Sequence, residues 1–368
     1  MKRVIISAPG RACLFGEHMD WCGYYVMPVA VDMRSFLEVS PNDRYDVVEV
    51  YSYPPFDTYA EYYLKNLRID SRSDLRYVGG VLEAMLRKGC LSCHKGLRLK
   101  FLRAEHVSKL TGNDDLLDLP VKKGLSSSAA ISVATASAID IALMNPSDEM
   151  HARRRLEDGE NLTRYASLAY TGENKVLGIN CGQMDQFASA YGGFLFIDCR
   201  FEPAKVERLN PGAEIPLVIG DTRQGKDTPR ILAWLGERFR RREPEFMEGV
   251  KGIVEVVLEA RRELSKPKPD LYRVGELMNL NQHYLAECLH VSGRCPISPS
   301  KLDVLIEAAL DAGALGAKLS GSGGGGCMIA LCLPEDVDRV AEAIRAKGGE
   351  AYVTRVADKG LRLELYET

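Results

Sequence analysis

What this chain lacks sets its first bounds. It has no basic excess: 48 Lys and Arg stand against 51 Asp and Glu, a formal charge of −3. Non-specific nucleic-acid or membrane-surface binding draws on such an excess, so neither partner is expected. No run of about 18 apolar residues is visible, which argues against a membrane span. Met1 to Pro9 carries one Lys-Arg pair and a short apolar stretch, without the long apolar core and small-residue cleavage site of an export signal, so a cytoplasmic location is expected. No internal repeat is visible. The ten cysteines fall mostly inside apolar segments such as Cys327–Cys332, a pattern of buried, reduced thiols and not of a disulfide framework. Cys90-Leu91-Ser92-Cys93-His94 matches the spacing of haem attachment, but it lies in a polar connection between Arg87 and Gly96, and the chain carries no export signal, so we read it as chance.

At 368 residues and 46% apolar content, the chain exceeds one comfortable core, and two domains are expected, 1–203 and 204–368. Alternation marks strands at Val4–Ala8, Val26–Asp32, Phe36–Val39, Asp46–Tyr53, Leu97–Leu102 and Phe194–Asp198. Helical spacing marks Leu75–Leu86, Ile131–Met144 and Arg153–Tyr170. A polar, proline-containing connection near Arg200–Ala204 leads to a strand at Ile215–Gly220. Helices follow at Ile231–Arg240, Glu245–Leu264, Val274–Cys288 and Ser300–Ala312; a strand–loop–strand spans Leu315–Leu333, then a helix at Glu335–Lys347 and closing strands at Ala351–Glu367. Strands and helices interleave without the regular rhythm of a doubly wound sheet, so the expected class is α+β in two domains.

Three segments carry chemistry. Gly124-Leu125-Ser126-Ser127-Ser128-Ala129-Ala130 stands directly before the apolar Ile131 helix. Helix starts leave N–H groups unpaired under a partial positive charge, and small residues let a polyphosphate approach them. One serine would suffice as an N-cap; three after a glycine favour an anion site. Gly10-Arg11 and Gly16-Glu17-His18-Met19-Asp20 pack two carboxylates and an imidazole between glycines, a set that suits neighbouring hydroxyls; a solvated acidic turn is the plainer reading. Ser320-Gly321-Ser322-Gly323-Gly324-Gly325-Gly326 lies between two apolar strands, where so much backbone entropy calls for a reason such as a cradle of N–H groups. No Gly-x-x-x-x-Gly-Lys-Ser/Thr stretch occurs, so it is not a P-loop.

Together these segments resemble the signature motifs of the GHMP kinases, a family of small-molecule kinases. Gly182-Gln183-Met184-Asp185-Gln186 is similar to the stretch that carries the catalytic aspartate in galactokinases. Gly313-Ala314-Leu315-Gly316-Ala317-Lys318 before the glycines looks closer to mevalonate kinase, as does Leu277–Asn281. The resemblance runs from residue 9 to residue 332 and implies the two-domain GHMP fold, its C-terminal half ferredoxin-like, with the active site in the cleft between domains. It implies ATP and Mg2+ as co-substrate and metal, and a small sugar as acceptor, its anomeric hydroxyl taking the phosphoryl group.

The same resemblance implies roles. Asp185 faces the attacking hydroxyl, and Arg11 stabilises the charge that develops there. Gly124, Leu125, Ser126, Ser127, Ser128 and Ala129 cradle the phosphates together with Gly321, Gly323 and Gly324. Ser128 and Glu173 ligate the metal, and Glu17, His18, Asp20 and Gly182 hold sugar hydroxyls alongside Asp185. Lys122 and Lys123 replace the small residues usual before the serines, either as added phosphate charge or as solvated turn residues. Trp21, Cys22 and Tyr24 depart from the galactokinase sequence, and Asp221–Thr228 contains no tyrosine to set against a sugar. These departures leave galactose, arabinose, an N-acetylhexosamine or a uronic acid as candidates. A mevalonate-type kinase is the alternative; a non-catalytic sugar sensor is weaker, because Arg11, Ser126–Ala129 and Asp185 are all present. The sequence leaves the oligomeric state open.

Overall fold

The computed structural model describes residues 3–53, 57–92, 96–121, 123–212, 214–289 and 297–367. Lys122, Cys93 and His94, on which expectations above bear, lie outside the described residues.

The chain opens with two long strands, β1 (Arg3–Phe15) and β2 (Tyr25–Asn42), then β3 (Val47–Ser52), β4 (Thr58–Tyr63), α1 (Arg76–Arg87), β5 (Gly96–Leu102) and α2 (Ala104–Thr111). There follow α3 (Ser127–Met144), α4 (Glu149–Glu157), α5 (Gly159–Tyr170), α6 (Met184–Tyr191), β6 (Phe194–Asp198) and β7 (Lys205–Leu209). The second half runs β8 (Leu217–Asp221), α7 (Thr228–Arg241), α8 (Pro244–Leu264), α9 (Leu271–His283), α10 (Ser300–Asp311), β9 (Gly316–Ser320), β10 (Cys327–Leu331), α11 (Val337–Ala346), β11 (Glu350–Thr354) and β12 (Arg362–Glu367).

The first sheet has the order β12-β1-β2-β5-β3-β4, with β6 pairing with β2 and β7 with β6. The second has the order β11-β8-β10-β9, with every pair antiparallel. Read along the chain, that is strand, helices, two strands, helix, strand, the split βαβ arrangement of a ferredoxin-like unit. The expected boundary at 203/204 does not follow the sheets. β7 and β12 both complete the first sheet, and Val4 of β1 pairs with Tyr366 of β12.

Several local expectations change for physical reasons. Val26–Asp32 and Phe36–Val39 are one strand, because the polar Arg34 between them is buried and satisfied, donating to Ser7 Oγ at 2.7 Å and to the Gly360 carbonyl. The single helix expected at 153–170 is two helices. Asp158 accepts from Asn161 N at 2.9 Å, and this cap starts a new helix at Gly159. The polar connection at 200–204 is followed by a strand, β7, that pairs with β6 along its whole length.

α3 begins at Ser127 and not at Ile131. It is 18 residues long with mean hydropathy 1.5, long and apolar enough by itself to cross a membrane, which corrects the expectation that no such stretch exists. In the fold 72% of it is buried, against β1, β2, α1, α5 and α6. A helix apolar on every side is a core helix, and its many alanines let those neighbours approach closely. Trimming Ile139, which is fully buried, to alanine would cost about 2–5 kcal/mol. The core holds the N-terminus of α3 fixed over β1.

Candidate active site

The site is assembled where β1 passes beneath the turn that starts α3. Gly10 makes that crossing possible: a Cβ there would lie 2.4 Å from Leu119 Cδ1 and 2.7 Å from the Leu125 carbonyl oxygen. The next residue, Arg11, donates its backbone N–H to Leu125 O at 3.1 Å, so the turn is stitched to the strand. Gly124 and Ser126 both take left-handed backbone, φ +87° and +59°, which turns the chain sharply into the helix.

Arg11 is buried, and its guanidinium donates in two directions. Nη1 donates to the Gly124 carbonyl at 2.9 Å and Nε donates to Asp185 Oδ1 at 2.7 Å. Burial opposes its charge most strongly, yet Asp185 outweighs burial and holds the guanidinium above its ordinary value. Asp185 lies in the first turn of α6, the end of a helix where a carboxylate is favoured. Its other oxygen accepts from Ser126 Oγ at 2.5 Å, while the side chain keeps 29% exposure. Ser126, expected among phosphate ligands, thus gives its hydroxyl to Asp185 and makes no side-chain cap on α3.

On the other side of the turn, Ser128 Oγ stands 3.4 Å from Glu173 Oε1, and Gln186 Nε2 donates to Glu173 Oε2 at 2.8 Å. Glu173 sits in a widened helical turn, Thr171–Val176, that continues α5. Gly172 and Gly80 pack so closely that a Cβ on Gly172 would lie 2.7 Å from the Gly80 carbonyl carbon, which is how α1 fixes this turn. Burial, and after it the charge of Asp185, pushes the Glu173 carboxyl up to about 7. Among the described residues, Gln186 Oε1 is buried beside it without a hydrogen-bond partner. Two hard oxygens, a proton-hungry carboxylate and an orphaned amide oxygen fit a divalent cation that takes its remaining ligands from phosphate and water.

The turn after β1 divides its residues unequally. Glu17, expected to hold a hydroxyl, is sealed from solvent. Lys318 of β9, also sealed, donates to Glu17 Oε1 and to Leu319 O at 2.7 Å, and Asn281 Nδ2 lies 3.4 Å from Glu17 Oε2. Asn281 further accepts from Gly16 N at 3.0 Å, and Ser320 Oγ accepts from Cys13 N at 2.9 Å. These contacts lock β1 to the second sheet and to α9. Glu17 is therefore placed to position its neighbours.

His18 is buried and Asp20 half-buried. Trp21 Nε1 donates to His18 Nδ1 at 3.2 Å, which assigns the ring proton to Nε2, and among the described residues Nε2 has no partner of hydrogen-bond geometry. Burial pushes the imidazole down to about 4, against a raising contact with the Ser322 backbone, so the ring is neutral. Asp20 is pushed up to about 6, chiefly by burial and then by the charge of Asp185. It packs on Gly182, where a Cβ would lie 2.1 Å from Asp20 Oδ2.

The glycine loop joins β9 to β10 and faces the α3 turn. A Cβ on Gly321 would lie 3.6 Å from Gly124 O, and one on Gly323 2.5 Å from Ile297 O, with Gly324 N donating to Ile297 O at 2.7 Å. Lys123 turns away from this space, its Nζ 2.6 Å from Asp221 Oδ2 and 3.9 Å from Glu350 Oε2. Lys226, between β8 and α7, points into it. No periodicity or motif in the sequence marks Lys226; Gly225 before it is the one local hint of an irregular backbone. Gln186 and Lys318 lie inside motifs that do not by themselves single them out.

Three family profiles match the chain: the galactokinase galactose-binding signature over residues 1–41, the GHMP kinases N terminal domain over 76–193 and the GHMP kinases C terminal over 260–350. A mevalonate kinase of Pyrococcus horikoshii is 32% identical, over 99% of this chain and 98% of its own length. A galactokinase of Pyrococcus furiosus is 28% identical, over 94% of this chain and 93% of its own. Among solved structures, Lactococcus lactis galactokinase complexed with galactose shares the fold with a TM-score of 0.73 at 22% identity, covering 98% of this chain and 95% of that one.

Proposed function

Because this chain belongs to the GHMP kinase family, and so is a phosphotransferase, we propose that it moves the γ-phosphoryl group of ATP to a hydroxyl of a neutral sugar, the anomeric one. The observation that carries the acceptor is the wall made by Asp20, Gly182 and Asp185. Asp185 lies close enough to Asp20 to help raise its carboxyl to about 6, with a neutral His18 beside them. A polyol supplies hydroxyl donors to both carboxylates and an oxygen acceptor for the His18 N–H. An acceptor bearing its own carboxylate would meet repulsion there.

The residues divide the work. Asp185 accepts from the attacking hydroxyl and fixes its direction; a carboxylate is a weak base for an alcohol, so orientation and charge carry most of the effect. Arg11, permanently cationic and buried, faces the charge that grows on the attacking oxygen and the moving phosphoryl group. Ser126 and Arg11 hold the two Asp185 oxygens, which fixes the carboxylate before substrate arrives. Ser128 and Glu173 would hold Mg2+, which when bound neutralises phosphate charge. The α3 N-terminus and the glycine loop supply N–H groups to the phosphates.

A second reading, a mevalonate-type kinase, is favoured by the 32% identical relative and by the Lys318 segment. Against it, Lys318 is paired with Glu17 inside the protein and is not available to an acceptor carboxylate. Coupled measurement of ADP release with galactose, arabinose, N-acetylhexosamines, a uronic acid and mevalonate decides between them. Turnover of a neutral sugar is expected, and turnover of mevalonate alone overturns the proposal.

A further inference from the structure

Among the charged groups around the phosphate turn, one has no role in the account so far. Lys226 is half-buried and extends along Gly326, where a Cβ would lie 3.2 Å from its Nζ and 3.3 Å from its Cε. A Cβ on Gly124 would lie 3.4 Å from the same Nζ, and one on Gly321 would lie 3.7 Å from it. That point above Gly321 is also 3.9 Å from Arg11 Nη2. Three glycines from two separate segments therefore leave a space with no side chain in it, and two cations close that space from opposite domains. Among the described residues, neither Lys226 Nζ nor Arg11 Nη2 has a hydrogen-bond or ion-pair partner, whereas Arg11 Nε and Nη1 are both occupied.

We propose that Lys226 is a second phosphoryl-binding cation, contacting the terminal phosphate of the nucleotide opposite Arg11. The proposal rests on the kinase reading of the site and adds to it a residue from the second domain. Two unpartnered cations facing one gap repel each other until an anion enters, and the gap is bounded by the α3 turn and the glycine hairpin. Its walls are Gly124 of the α3 turn and Gly321 and Gly326 of the hairpin, the small-residue segments that suit close approach of a polyphosphate, which favours phosphate over an acceptor carboxylate as the occupant. An ammonium on a flexible stem suits this task as a point charge. Because the lysine comes from the segment between β8 and α7, its contact would also tie the second domain to the bound nucleotide.

The surroundings support a titratable contact. Burial pushes the Lys226 ammonium down to about 8, helped by the charge of Arg11. The groups facing it are Arg11 from β1, Asp185 from α6, Asp221 from β8, Cys327 from β10 and His18 from the turn after β1. Cys327 and His18 are neutral near pH 8, with thiol and imidazole at about 12 and about 4. Asp185 and Asp221 are engaged with Arg11 and Lys123. Protonation of Lys226 therefore governs the local charge between pH 8 and 9, above the range in which Glu173 ionises.

The test is calorimetric titration of the full chain, without acceptor, with Mg2+ and either ADP or a non-hydrolysable ATP analogue. For Lys226→Met, affinity for the analogue is expected to fall about tenfold or more while that for ADP changes less than about threefold. Lys226→Arg should hold the analogue within about threefold of the parent protein. Raising pH from 8 to 9, where Glu173 is already ionised, should weaken the analogue in the parent protein and leave Lys226→Met unmoved. Equal losses for both nucleotides, no loss at all, or the same pH response in parent and variant would each overturn the assignment. Failure of the parent protein to bind either nucleotide would overturn the kinase reading along with it.

Discussion

The buried pair Glu17–Lys318 offers the most demanding test of how the site is held. Both side chains are fully enclosed, and they join the turn after β1 to β9 of the second sheet. Replacing Lys318 by methionine keeps the stem and removes the charge, leaving Glu17 without its counter-charge and with Asn281 at 3.4 Å. Breaking a buried pair by deleting one partner costs about 3–5 kcal/mol, because the other charge stays desolvated. The expected loss at pH 8 is of that size. Adding Glu17→Gln removes the stranded charge, so the double variant should regain at least half of it. Burial already raises the Glu17 carboxyl despite Lys318; without Lys318 it rises further. A carboxyl whose pKa is higher folded than unfolded makes the folded state bind more protons, so its penalty is complete at high pH. The penalty fades as pH falls toward the unfolded value of about 4.5. The Lys318→Met deficit should therefore shrink from pH 8 to pH 5. Urea unfolding followed by tryptophan emission measures it; Trp21 packs edge-on against Phe239 of α7 across this junction. A deficit below about 1 kcal/mol, or one that ignores pH, would refute the reasoning.

Asp185→Asn should lower kcat by about a thousandfold or more with nucleotide affinity retained, checked by steady-state rates beside titration with ADP; turnover near that of the parent protein would remove Asp185 from its role. Gly182→Ala places a methyl group 2.1 Å from Asp20 Oδ2, so the acceptor KM should rise while the ATP KM holds steady. Glu173 must be ionised to bind a cation and is pushed up to about 7, so lowering pH from 8 to 6 should weaken apparent Mg2+ affinity about tenfold. In Glu173→Gln that pH dependence should vanish together with most of the activity; if the dependence stays, the cation is held elsewhere.

The parts of the site that were legible in the sequence are those whose chemistry is written locally. Small residues before an apolar run announced the α3 turn, and the charged residues between glycines announced the loop after β1. What local sequence could not convey is which side chains are shut away. Glu17, His18 and Asp20 are nearly adjacent, yet the fold seals Glu17 with Lys318 from 301 residues away and, among the described residues, leaves His18 Nε2 without a partner of hydrogen-bond geometry. The same holds for strands. β2 looked broken at Arg34 because a charged residue inside a strand reads as an end, and acceptors distant in sequence, the Ser7 hydroxyl and the Gly360 carbonyl, make its burial tolerable. β7 looked like a connection because its alternation is polar, and pairing with β6 is what makes it a strand.

Ser126 shows why this matters for function. Read alone, a serine at a helix start is a cap or a phosphate ligand, and its neighbours Ser127 and Ser128 carry the same two readings. The left-handed backbone at Ser126 turns its hydroxyl away from the helix and onto Asp185, 59 positions later. On the proposed kinase reading the turn would serve two tasks at once: its N–H groups would meet the phosphates, while its first serine and the carbonyl of Gly124 hold Asp185 and Arg11 on the acceptor side. Donor and acceptor halves of the site share one rigid support, so a displacement of the α3 turn would misplace the phosphates and the attacking hydroxyl together. A transfer reaction that depends on alignment to within a fraction of an ångström gains from that coupling.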